Sequence, residues 1–228
     1  MIKKLLISAS AFGLLANVAL ADSTNVGINL SYGKLDATGT EQTDSAGSDT
    51  GGTVVSSGSG DANFPFGSIF LEREVNLTNF NVALGLDYVP VSREVDKLTG
   101  GNGTDATVKV KNIKNIYIQP SKTLDNGVSL FARIGYLHGD VNVSDITRQT
   151  GGVSQSNDNA STDTSANKTL KGPTFGLGAE KKLANGLFVR ASYTRTSIDK
   201  IEYTNSNGKK LTADADLDTL SLSIGKKF

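Results

Sequence analysis

Four stretches of this chain follow one rule: apolar, any residue, apolar, any residue, apolar, any residue, tyrosine. They are Val26-x-Ile28-x-Leu30-x-Tyr32, Val82-x-Leu84-x-Leu86-x-Tyr88, Leu130-x-Ala132-x-Ile134-x-Tyr136 and Leu187-x-Val189-x-Ala191-x-Tyr193. A period of two over seven residues defines a strand with one apolar face, because successive side chains point to opposite sides. The intervening positions, which include Asn29, Ser31, Gly85, Asp87, Ser129, Arg133, Arg190 and Ser192, are mostly small or polar. A soluble sandwich also alternates, but it has no reason to end each apolar row on the same amphipathic aromatic. A membrane interface does, since the tyrosine ring is apolar and its hydroxyl requires water.

The N-terminus sets the compartment. Lys3 and Lys4 form a positive segment, Leu5 to Leu20 is largely apolar, and Ala19-Leu20-Ala21 has the form of a cleavage site. Residues 1–21 therefore read as a cleaved signal peptide and 22–228 as the mature domain. A membrane anchor is the competing reading, but Ser8, Ser10, Gly13 and Asn17 interrupt a stretch that is already short for a spanning helix. The chain has no cysteine, which excludes both lipid attachment at a cysteine and a fold stapled by disulfides. Basic and acidic residues balance at 23 each, and no basic stripe suggests a nucleic-acid partner. No later segment is apolar for 18 residues. If the chain spans a membrane, it must do so as a closed barrel, because only helices and closed barrels satisfy the backbone in lipid.

Four less regular strands alternate with the Tyr-ended ones. The expected set is 25–35, 64–75, 80–90, 107–119, 128–138, 172–183, 187–197 and 215–228, giving an eight-stranded antiparallel up-and-down transmembrane β-barrel. The connections at 76–79 and 184–186 are tight, and 120–127 is a modest turn signalled by Asn126-Gly127. Those at 36–63, 91–106, 139–171 and 198–214 are long and polar, and they are expected to be mobile loops. Short turns at one end and long loops at the other match periplasmic turns and extracellular loops. Tyr32, Tyr88, Tyr136 and Tyr193 then form an outer aromatic girdle, with Phe80 and Phe228 at the inner interface.

The last strand alternates Leu220, Leu222 and Ile224 against Ser221, Ser223 and Gly225 and stops on Phe228. In this it resembles the small OmpA-like, opacity-type eight-stranded outer-membrane proteins of Gram-negative bacteria, whose final strand ends in Phe. The resemblance implies that Phe228 is an assembly signal read by the barrel-assembly machinery. It also implies an outer-membrane location, with membrane lipid and lipopolysaccharide as the surroundings of a monomer. The sequence stops at Phe228, so no peptidoglycan-binding domain is expected.

Strand phase identifies the interior. Ile69, Leu71 and Val75 outward place Ser68, Phe70, Glu72 and Glu74 inward and Arg73 at the inner interface; the opposite phase would put two acids in lipid. The strand at 107–119 is ambiguous, because Val108, Val110, Ile116 and Ile118 share a row with Asn112 and Lys114. Phe175, Leu177 and Ala179 outward send Gly176, Gly178, Glu180 and Lys182 inward. The lumen is then expected to receive Glu72, Glu74, Asp87, Lys109, Lys111, Arg133, Glu180, Lys182 and Arg190. An eight-stranded barrel has an interior that side chains fill, and unpaired buried charge is costly. An ion-pair network of Glu72, Arg133, Glu180 and Arg190 is the expected result. Its role is a stabilising plug or, as the resemblance implies, a gate whose pairs exchange partners to pass small solutes slowly.

Catalysis has little support. His138 is the only histidine, and it lacks the partner motif of a nucleophilic site. The resembling deacylase barrels carry His-x-Ser, where this chain has Asp140. Asp36, Glu41, Asp44, Asp49 and Asp61 make one loop acidic, but without the spacing of a calcium loop. Neither a metal nor a cofactor is implied. The expected function is structural or porin-like, with surface recognition or adhesion through the long loops as the alternative. The loops hold few of the aromatic and arginine anchors that dominate binding interfaces, which favours the first.

Overall fold

The computed structural model describes residues 23–44, 53–90, 93–100, 104–148, 165–204 and 210–228. The expected signal peptide lies outside them. The strands are β1 (Ser23–Asp44), β2 (Thr53–Asn76), β3 (Asn81–Val89), β4 (Arg93–Gly100), β5 (Thr104–Thr123), β6 (Val128–Arg148), β7 (Ser165–Lys182), β8 (Leu187–Thr204) and β9 (Lys210–Lys227). Each neighbouring pair is antiparallel. β3 and β4 both pair with β5 and together make one position in the wall, and β3 also pairs with β2. The result is a closed eight-stranded up-and-down barrel.

The ladders are staggered. Asn29 is level with Ser223, Ser223 with Arg190, Arg190 with Glu180, Glu180 with Ser129, and Ser129 with Thr123 at the turn end. A circuit that descends in this way means strands tilted to the barrel axis, as closure requires.

The three turns follow from their residues. Leu77 N donates to Phe80 O at 2.9 Å. Gly127 adopts φ 74, the left-handed conformation that the 124–127 turn needs and glycine accepts. Ala184–Gly186 forms a single 3₁₀ turn, with Asn185 and Gly186 both at positive φ.

The lipid face is the apolar row. Val26, Ile28, Leu30 and Tyr32 on β1, Leu130, Ile134 and Tyr136 on β6, and Leu220, Leu222 and Ile224 on β9 are all exposed on the outer wall. From Val26 to the first outward charge, Lys34, the strand covers about 27 Å at roughly 3.4 Å per residue. At a tilt near 40° this spans about 21 Å, close to the apolar belt of outer-membrane barrels. Tyr32, Tyr136 and Tyr193 are exposed at its upper edge and Tyr88 is half-buried there. Phe80 and Phe228 are exposed at the turn end.

Much of what was expected to be loop is strand. β1 continues to Asp44, β2 starts at Thr53, β6 reaches Arg148 and β8 reaches Thr204. Above the tyrosines the alternation keeps its period and reverses its sense. Lys34, Asp36, His138, Arg195 and Asp199 now point outward, while Ala62, Val89, Leu137, Val141, Ile198 and Leu217 are buried inside. Polar composition suggested segments unable to bury themselves. The reason they order is that a few inward apolar residues and a paired backbone suffice once neighbouring strands are present.

Candidate functional site

The lower lumen holds a charge cluster centred on Glu72 of β2, which has no solvent exposure. Arg190 of β8 grips it with two parallel bonds, Nη1 to Oε1 at 2.7 Å and Nη2 to Oε2 at 2.9 Å. The same Arg190 Nη2 donates to Glu180 Oε2 of β7 at 2.8 Å. Arg133 of β6 approaches Glu72 Oε1 at 3.6 Å through Nη2 and donates to Gln119 Oε1 of β5 at 2.8 Å. Tyr117 donates its hydroxyl to Glu72 Oε1 at 2.7 Å, and Asn25 Nδ2 donates to Oε2 at 3.2 Å. The structure thus brings Glu72, Arg133, Glu180 and Arg190 into one cluster.

Local sequence explains how such long side chains fit. Four aromatics stand directly opposite four glycines across the ladders: Phe70 opposite Gly27, Tyr117 opposite Gly85, Phe131 opposite Gly178 and Phe188 opposite Gly225. Each ring occupies the space where a Cβ would stand on its glycine. The rings therefore lie near the wall and leave the axis to the guanidinium groups. Arg133 stacks on Tyr117 with its centre 3.8 Å from the ring centroid, and Arg190 lies 5.2 Å from each of Phe70, Phe131 and Phe188. Cation–π attraction in this dry setting offsets part of the cost of removing two guanidinium groups from water.

A second pair closes the turn end. Lys227 Nζ of β9 bonds Glu74 Oε1 at 2.6 Å, and Asn25 Nδ2 reaches Glu74 Oε2 at 3.3 Å. Above the cluster, Asn29 Nδ2 of β1 donates to Asp87 Oδ2 of β3 at 2.9 Å and to Ser68 Oγ at 2.8 Å. Hydroxyls line the next level, where Ser31 meets Ser221 and Thr174 meets Thr196. At the top, Phe64, Phe66 and Leu217 converge over Gly33 in an apolar patch on the β1, β2 and β9 side. Arg73 points away from the lumen and donates to Thr24 Oγ1 at 2.7 Å.

Three expected lumen residues do not join. Lys182 is exposed at the turn end. Lys109 is exposed, and Lys111 pairs across the ladder with Asp140 on the outer row. The cause is a bulge between Lys111 and Lys114, where Asn112 takes φ 56 and reverses the phase of β5. Below it Ile116 and Ile118 point outward; above it Val110 stands opposite buried Val141. The outward placement expected of Val110 therefore fails, while the side chain of Val108 lies outside the described residues. Reasoning from charge alone missed Tyr117, Gln119, Phe131 and Phe188. The available signal was an aromatic in the inward row with a glycine across from it. His138 is exposed, opposite Lys114 and Lys171. Asp36 and Asp61 are cross-strand partners outside the barrel; the side chains of Glu41 and Asp44, and Asp49 altogether, lie outside the described residues.

An apolar outer belt, an aromatic rim and a lumen filled by paired charges define a transmembrane β-barrel of the outer-membrane type. The sequence model of the outer membrane protein beta-barrel domain matches residues 5–228, and the chain belongs to that family. It is a protein of the bacterial outer membrane. No curated protein matches it in sequence. Among solved structures it is similar to the outer membrane protein OprG of Pseudomonas aeruginosa, at 14% identity and a TM-score of 0.54 over 91% of this chain and 97% of that one. Ail, the attachment invasion locus protein of Yersinia pestis, matches at 16% identity and TM-score 0.46, over 90% of this chain and 99% of that one. Neisserial surface protein A matches at 13% and 0.42, over 87% and 97% respectively. At these identities the likeness is one of fold.

Proposed function

We propose that the protein is a structural, porin-like barrel that passes at most small ions, slowly, past the Glu72 cluster. The observation that carries this reading is that Glu72 has two cationic partners. It is bound by Arg190 at 2.7 Å, and Arg133 waits at 3.6 Å. A shift of Glu72 toward Arg133 would keep its charge paired while Arg190 remains on Glu180, so partner exchange leaves no guanidinium bare. The apolar patch of Phe64, Phe66 and Leu217 above narrows the path on its side, and an ion passing it loses part of its hydration there. Together these favour a barrel whose ordinary state is closed. Within this reading the chain carries out no catalytic step.

Planar-bilayer conductance tests it, with liposome swelling as a size gauge. Small, infrequent ion events are expected from the native protein, with no swelling in any sugar. Arg133→Ala removes the exchange partner and Glu72→Ala opens the axis, so the two should change conductance in opposite directions. If both leave it unchanged, the plug is not a gate.

A further inference from the structure

The outer wall just above the tyrosines is electrically lopsided. On the β1, β2 and β9 side, Asp36 is the cross-strand partner of both Asp61 and Asp216. The cations there are already engaged: Lys34 lies 2.8 Å from Asp36, and Arg195 lies 2.7 Å from Asp216 and 3.4 Å from Asp218. The β5, β6 and β7 side differs. His138 is the cross-strand partner of both Lys114 and Lys171, and all three share the outward face and are exposed. Two acids flank them. Asp199 lies 3.7 Å from Lys171 and accepts the Tyr136 hydroxyl at 3.1 Å. Asp140, two residues beyond His138, accepts from Asn112 at 2.8 Å. Among the described residues Lys114 meets no carboxylate.

Height fixes what such a group of donors would meet. Tyr88 is the other cross-strand partner of Lys114, and Tyr136 stands two residues below His138 on the same face. Tyrosines mark the hydrocarbon edge, so the trio sits in the headgroup layer. Directly beneath it Ile116, Ile118 and Ile134 are exposed on the lipid face. A cationic row over an apolar wall is complementary to an amphiphile with a phosphorylated head and acyl tails. Neighbouring strands are about 5 Å apart, so two ammonium groups flanking an imidazole span about 10 Å, enough to hold one or two phosphate groups. We infer that Lys114, His138 and Lys171 form a binding site for the phosphates of an outer-leaflet glycolipid, with its acyl chains against Ile116, Ile118 and Ile134. The site is independent of whether the lumen conducts.

The test is equilibrium binding of fluorescent diphosphoryl lipid A to the full-length protein folded in neutral detergent. A Lys114→Gln/Lys171→Gln variant is compared with Lys34→Gln/Arg195→Gln from the opposite side. All four side chains are exposed, and retained gel mobility verifies folding. A basic side chain near a lipid surface contributes about a fivefold effect, so the first variant should bind about 30-fold more weakly. The second should stay within about twofold of native protein. Dephosphorylated lipid A should bind the native protein as weakly as diphosphoryl lipid A binds the first variant, and millimolar inorganic phosphate should not compete. Native-like binding by the first variant would overturn the proposal, as would equal losses in both variants. Full competition by inorganic phosphate would also overturn it, because the site would then take a free anion and not a lipid.

Discussion

Replacing Glu72 by Gln preserves the shape of the central side chain and removes its charge, which makes it a direct probe of the plug. Oε1 accepts from Arg190 Nη1 and Tyr117, and Oε2 accepts from Arg190 Nη2 and Asn25. If Oε2 becomes the amide nitrogen, it faces two donors and two hydrogen bonds are lost at a buried site; if Oε1 does, the Tyr117 hydroxyl can turn to accept and the bond from Arg190 is lost. Each buried donor left without an acceptor costs about 1–3 kcal/mol. Breaking a buried ion pair from one side costs about 3–5 kcal/mol. Arg190 keeps Glu180, and Arg133 keeps Gln119, so the loss should fall near the lower end, at about 3 kcal/mol. The chain has no tryptophan, so urea unfolding in phospholipid vesicles is best followed by far-UV circular dichroism and gel mobility. The midpoint should fall with the slope unchanged. If Glu72→Gln lies within about 0.5 kcal/mol of the native protein, as surface changes do, the cluster is hydrated and the account of a dry plug is wrong.

Two further outcomes follow from the same packing. Gly85→Ala would put a methyl group into the Tyr117 ring, so it should destabilise by about 1–3 kcal/mol as overpacking does, while Gly39→Ala, with only a backbone oxygen at 3.7 Å, should be nearly silent in the same unfolding assay. Leu30→Arg, at a side chain 71% exposed to the acyl layer, should cost about 2–4 kcal/mol if it lies near the bilayer midplane, and equal stability of this variant and the native protein in vesicles would refute the assignment of the lipid face.

The sequence made some of this legible and hid the rest for physical reasons. Strand phase within the bilayer was legible at Tyr32, Tyr136 and Tyr193, because lipid tolerates no error in which face is apolar. Glu72, Arg133, Glu180 and Arg190 were legible as inward charges by the same argument. That they meet across strands far apart in sequence follows from barrel closure and from a lumen too narrow to keep charges apart. The phase above Asn112 was not legible, since a single bulge reverses the residues on its far side, such as Val110 and Lys111, and leaves no mark in composition. Nor was the strand character of the segments beyond the tyrosines. Their Ser, Thr and Gly content reads as loop when each segment is taken alone, and it becomes strand through partners that local sequence does not reveal.

The reversal at the girdle ties these observations together. On β1 the even positions from Val26 to Thr40 face outward. They are apolar from Val26 to Tyr32 and charged at Lys34 and Asp36, while the inward row changes from Asn25, Asn29 and Ser31 to Leu35 and Ala37. The same exchange occurs on β6 between Tyr136 and Leu137 and on β8 between Tyr193 and Ile198. One unbroken wall thus passes from lipid to water, and each segment hides its apolar row from whichever solvent surrounds it. Below the girdle this leaves a polar lumen that must neutralise its own charges, as the Glu72 cluster does. Above it the lumen becomes a small apolar core and the outer surface carries the charge. The charged and the apolar levels of the lumen therefore arise from the change of solvent at the outer rim. A single inward substitution on either side of the rim should then affect only one of them.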